Sequence, residues 1–200
     1  MEQQQAARAL QTGPRGVVRT RASNSEGFAL IDVIFVCGII GLLCSIALPK
    51  LALARQSAGS ASAIGSMRAI NSAQLTFALT CAGGFYAPNL TTLGTPPGGS
   101  NDAYITPELG SANTVTKAGY MIQVVAVPYA GAPPTCNGLG VGQTGQGFVA
   151  VADPTQVDNT RFFATNANAM IFENNATLNG VMPELGEPAA GHAIQPIRAQ

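Results

Sequence analysis

Charge is scarce in this chain: Asp, Glu, Lys and Arg make up 10% of its 200 residues, ten basic and ten acidic. The little there is lies unevenly. Four arginines (Arg8, Arg15, Arg19, Arg21) fall within the first 21 positions, leaving six basic against eight acidic side chains from Phe28 onward. The main body therefore has no basic surface to hold nucleic acid, and direct nucleic-acid binding is not expected. Histidine is scarcer still. His192, the only one, sits in a Pro/Gly-rich tail with no cysteine nucleophile or cluster of metal ligands near it in sequence. No catalytic residue, metal site or cofactor site is indicated, and the chain is not expected to be an enzyme. The acids Asp153, Asp158 and Glu173 are scattered without the compact oxygen-ligand spacing that a calcium loop needs.

Apolar side chains, by contrast, make up 46% of the residues. At this length they can supply one modest domain plus one membrane-length segment. Residues 1–26 are polar, rich in Gln, Arg and Ser, and have no apolar periodicity, so they read as a leader without structure of its own. From Phe28 to Leu48 runs FALIDVIFVCGIIGLLCSIAL, whose only strongly polar member is Asp32. That matches the roughly 20 residues with which a helix crosses a bilayer; the alternative is a core helix of a soluble protein. The four arginines before the segment, against Lys50 and Arg55 closely after it, place the N-terminus in the cytoplasm and the rest outside it.

Pro49 would interrupt a soluble helix, but membrane helices accommodate proline, and the sequence after it is rich in Ala and other helix formers. The helix is expected to continue to about Thr80, which would make a rod about 80 Å long. In its last half, Ala63, Met67, Ile70, Gln74 and Phe77 recur on one face at the spacing of a packed stripe, with Arg68 opposite. Residues 81–116 hold the breaker cluster GTPPGGSND and read as a connecting loop with one short helical turn near Pro107 to Leu109. Short β-branched or aromatic runs at 118–129, 147–152, 161–164 and 169–173 predict an antiparallel sheet of three or four strands, within a region spanning 117–173. The tail from Asn174 to Gln200 carries no regular pattern. The fold class is thus α+β, a long N-terminal helix packed on a small antiparallel sheet.

The four cysteines fall into two pairs. Cys37 and Cys44 lie in the apolar run about 10.5 Å apart along a helix axis, too far for a bond within one chain, and read as packing residues. Cys81 and Cys136 lie in the part expected outside the cytoplasm, where oxidation persists, so they read as a disulfide, with two free thiols the alternative. Cys37, Gly41 and Ser45 repeat at four-residue spacing, which lets helices approach closely; ordinary tolerance of glycine in membrane helices explains them equally. Gly140, Gly142 and Gly145 fit a G-x-G-x-x-G string, but a Pro-rich loop precedes it and a strand-like run follows, so a flexible surface loop is expected rather than a dinucleotide site. Asn89-Leu-Thr91 and Asn175-Ala-Thr177 match the N-glycosylation pattern, which often arises by chance.

Gly27, Phe28, Ala29, Leu30, Ile31 and Asp32, followed by the apolar run ending at Pro49, resemble the processing signal and N-terminal helix of the type IV pilin superfamily. The strings ARQSAGSASAIGSMRAINSAQLTFA, GFYAPNLTTLG, GFVAVADP and RFFATNANAMIF are similar, more loosely, to the rest of such subunits. The resemblance implies cleavage between Gly27 and Phe28 by a prepilin peptidase, methylation of Phe28, and Asp32 as the fifth residue of the mature chain, where the family usually has Glu. An ionised acid in this position costs about 2.5 to 3.5 kcal/mol on insertion and needs a cation. Cleavage supplies one in the ammonium of Phe28, of the same chain or of a neighbour. A plain helix-start acid interacting with the dipole is the other reading.

The function this implies is a structural subunit of a type IV pilus-like filament, with Phe28, Asp32, Cys37, Gly41, Ser45 and Pro49 in the assembly segment. Its expected partners are further copies of itself, the prepilin peptidase, the pilus or secretion assembly machinery and the inner membrane. It would wait in that membrane as a single-pass precursor and leave it as an extracellular or periplasmic filament. Two alternatives stand beside this. One is a type II secretion pseudopilin, whose major form usually carries a calcium-binding acidic loop. The other is a single-pass anchored binding module that never assembles.

Overall fold

The computed structural model describes residues 30–157, 159–189 and 194–197. By their contacts the residues form two compact units, Met1–Ser45 and Ile46–Gln200. The fold is α+β, with, among the described residues, one long helix, α1 (Leu30–Thr80), two short ones, α2 (Leu90–Gly94) and α3 (Pro107–Gly110), and six strands.

In the first unit every described residue belongs to α1 and every one is exposed, its large apolar side chains from 45% at Ile39 to 75% at Leu30. Such a surface of leucine, isoleucine and valine does not fit water. The helix is long and apolar enough to cross a membrane, and bilayer hydrocarbon is the solvent in which its exposure costs nothing.

In the second unit α1 buries a stripe. Ala63, Met67, Ile70, Gln74 and Phe77 are all fully buried and Arg68 is exposed, as their spacing predicts. The stripe packs on one face of an antiparallel meander, β1 (Thr114–Lys117), β2 (Tyr120–Val125), β3 (Val149–Pro154), β4 (Phe162–Asn166), β5 (Ile171–Asn174) and β6 (Gln195–Pro196), in the order β1-β2-β3-β4-β5-β6. The register puts Ile122 opposite Ala152 and Ala152 opposite Phe163, so these three share the face that meets Met67, Ile70 and Phe77. Val151, Ala164 and Phe172 point the other way and are covered by Leu178 and Met182. Small alanines at the centre of β3 and β4 let both layers come close to the sheet.

The sheet has six strands, not three or four, and three further features were not anticipated. β1 lies partly in the stretch read as a connecting loop. It is four residues long and is defined by its hairpin: Ala118 (φ 49) and Gly119 (φ 82) form a two-residue turn with both φ positive, the geometry that matches strand twist. α2 is nucleated by Asn89, whose Oδ1 accepts from the Thr92 amide at 2.9 Å. The tail is not patternless, since Leu178 is fully buried and the amide of Ile197 donates to the Ile171 carbonyl at 2.8 Å.

Candidate functional site

Asp32 is the acid in the first turn of α1, where the unpaired amides and the helix dipole favour a negative charge. Residues 30–45 contain no basic side chain, so any cation for Asp32 must come from elsewhere. Gly27 and Phe28, the residues of the expected cleavage, lie outside the described residues, as do Asp158 and His192. Cys37, Gly41 and Ser45 are exposed, and Cys37 and Cys44 are free thiols. A Cβ placed on Gly38 or Gly41 would meet nothing within 4 Å. The Ser45 hydroxyl donates to the Leu42 carbonyl at 2.7 Å, which hides its polarity within the helix. Pro49 lies inside α1, which continues past it to Thr80.

In the second unit Cys81 and Cys136 form a disulfide. Beside it the Cys136 amide donates to the Cys81 carbonyl at 3.2 Å and the Gly98 amide to the Cys136 carbonyl at 3.1 Å, so three separate segments meet at the end of α1. The opposite end of the packed stripe is held by a buried polar chain. Tyr120 Oη lies 2.9 Å from Ser60 Oγ and accepts from Asn159 Nδ2 at 2.9 Å. Here the backbones nearly touch: a Cβ on Gly59 would lie 2.7 Å from the Ala118 carbonyl oxygen. No spacing in the sequence links Ser60, Tyr120 and Asn159; only the strand register brings them together.

At the start of β4, Arg161 forms a fork with Glu173, Nη2 donating to Oε2 at 2.9 Å, and its guanidinium carbon stands 5.3 Å from the centre of the Phe163 ring. The hydrogen bond to Glu173 raises the arginine's pKa, with burial opposing it and the Glu173 charge adding to it. The ion pair is half-open to water, so its worth is that of a surface pair.

The G-x-G-x-x-G string is not wholly a loose loop. Gly145 bridges both Tyr86 and Pro128, and Thr144 is fully buried. No strand leads directly into it and no helix leaves it, so it lacks the strand–turn–helix setting of the dinucleotide fingerprint. Asn89 of the first glycosylation pattern is committed to capping, accepting from the hydroxyls of Thr91 and Thr92 as well as from the Thr92 amide. Thr177 of the second pattern donates to Asp153 Oδ2 at 2.7 Å.

Among the described residues no three His, Cys, Asp or Glu side chains gather as metal ligands. Asp153 Oδ1 and Asn174 Oδ1 are buried acceptors with no hydrogen-bond partner, on β3 and β5 with β4 between them. No protein-family model, no curated protein and no solved structure matches this chain.

Proposed function

We propose that this protein is the precursor of a type IV pilin-like filament subunit, anchored in the inner membrane by α1 with its N-terminus in the cytoplasm. The observation that carries the reading is the division of labour along α1. One helix, Leu30–Thr80, is apolar and exposed through its first half and buries a stripe against a sheet in its second. A soluble protein gains nothing from the first half; a subunit that is held in a bilayer and then bundles with copies of itself uses it twice.

The lone Asp32 supports the same reading, because a carboxylate in that segment must find a cation and cleavage after Gly27 would create one on Phe28. Cys37, Gly41 and Ser45 lie on the surface that bundling would bury. The role is structural, with no chemistry performed on a substrate. Its partners are the peptidase, the assembly machinery and further copies of the chain.

Co-expression with a prepilin peptidase, followed by intact-mass and N-terminal analysis of the protein and of a Gly27→Ala variant, tests the proposal. Loss of residues 1–27 with a methylated Phe28, abolished by the substitution, is the expected result. A full-length, unmodified chain in both cases would sink the proposal and leave a single-pass anchor. Filament length then separates a pilus from the short filament of a secretion system.

A further inference from the structure

At the end of the sheet where β4 and β6 begin and β5 finishes, the surface sinks into a hollow of about 260 Å³. It is lined by Thr160, Arg161, Glu173, Asn174, Asn175 and Gln195. The composition is unusual, since all six side chains are polar and none is aliphatic: one hydroxyl, three carboxamides, one guanidinium and one carboxylate. The two charges cancel in the Arg161–Glu173 fork, so among the described residues the lining has no net sign with which to select an anion or a cation.

What remains is dense and directional hydrogen-bonding capacity. Carboxamide, guanidinium and carboxylate are planar groups with paired donors or acceptors, and vicinal hydroxyls match them two at a time. The pieces are held still. Arg161 is fixed by Glu173 below and the Phe163 ring beside it, which lowers the entropy lost on binding. Asn174, 8% exposed, is the most buried residue of the lining.

We propose that this hollow binds a neutral sugar, recognised through paired hydroxyls by Arg161, Glu173, Asn175 and Gln195. The binding needs no filament and stands or falls apart from the assembly reading. A neutral sugar can be met free or at the end of a surface glycan, and the hydroxyl chemistry is the same for both.

The test uses the full chain in a detergent without a sugar headgroup. Saturation-transfer NMR is recorded with glucose, galactose, mannose and N-acetylglucosamine, and the same four are offered as immobilised glycans; inorganic phosphate and sialic acid are the charged probes. Asn175→Ala and Gln195→Ala remove exposed side chains, so both variants fold, and thermal melting verifies it. Transfer to at least one neutral sugar, weakened tenfold or more by either substitution and unchanged in Val141→Ser on a remote surface, is the expected result. Signal with the free sugar alone identifies a soluble ligand, and signal with the immobilised form as well identifies a surface. Silence with all four sugars, signal that survives both substitutions, or a preference for phosphate or sialic acid would each overturn the proposal.

Discussion

The carboxamide of Gln74 clamps the backbone of Ala87 in both directions: Oε1 accepts from the Ala87 amide at 2.8 Å and Nε2 donates to the Ala87 carbonyl at 2.9 Å. Both residues are fully buried. The pair ties the segment leading to α2 onto the face of α1 that meets the sheet. Gln74→Ala leaves an amide and a carbonyl buried without partners, at a cost on the order of 3 kcal/mol. The melting temperature should fall by about 10 °C for a unit of this size. A fall of only a degree or two would mean that water replaces the clamp.

The spacing of Ala63, Met67, Ile70, Gln74 and Phe77 was legible in the sequence because a helix repeats its buried face every few residues over about four turns, long enough for a pattern to stand above chance. The cysteine pair was legible for a chemical reason, since only Cys81 and Cys136 lie outside the apolar run. β1 and β6, at four and two residues, are too short to carry a period. Their existence depends on the neighbour that each pairs with. The Arg161–Glu173 fork was equally hidden, because the eleven intervening residues form a hairpin whose register nothing local announces.

The turn that makes β1 a strand stores strain. Ala118 holds a φ of 49°, a left-handed conformation that costs a residue with a Cβ on the order of 1 kcal/mol. Ala118→Asn creates the favoured Asn-Gly hairpin turn at an exposed position and should stabilise the fold by about 0.5 to 1 kcal/mol. Gly59→Ala should act in the opposite direction, because its Cβ would meet the Ala118 carbonyl oxygen at 2.7 Å. Chemical denaturation of the two variants decides it, and equal midpoints would contradict the close approach of α1 to the turn.

Cys81 and Cys136 close a loop of 55 residues. In the chain-entropy account such a bridge contributes about 4 kcal/mol through the unfolded state. Reduction, or Cys136→Ser in an oxidising medium, should therefore lower the unfolding free energy by that amount, and the denaturation midpoint with it, while the sheet's circular dichroism is retained. An unchanged midpoint would show that the backbone bonds from Cys136 to Cys81 and from Gly98 to Cys136 hold these segments unaided.

Calcium separates the two filament readings. With the unpaired acceptors of Asp153 and Asn174 on β3 and β5, β4 standing between them, and no ligand cluster among the described residues, millimolar calcium should leave the melting temperature unchanged, and chelation should do the same. A site filled to a hundred times its dissociation constant would stabilise by about 2.7 kcal/mol. A shift of that size, lost in Asp153→Asn, would favour a secretion pseudopilin over a pilus subunit.

Asp32 offers the sharpest test of assembly, because insertion and assembly make opposite demands on it. Removing the carboxylate should ease entry into the bilayer by about 2.5 to 3.5 kcal/mol, so Asp32→Ala should reach the membrane and be cleaved at least as well as the parent. If the acid is the partner of the Phe28 ammonium in a neighbouring copy, that same variant should lose filaments by tenfold or more in sheared fractions. Asp32→Glu restores the charge with one further methylene of reach and should assemble. Were the acid only a helix-start residue favoured by the dipole, its loss would cost about 0.3 to 1 kcal/mol of helix stability and filament yield would barely change. Equal yields from the parent and Asp32→Ala would therefore remove the carboxylate from assembly while leaving the anchor intact.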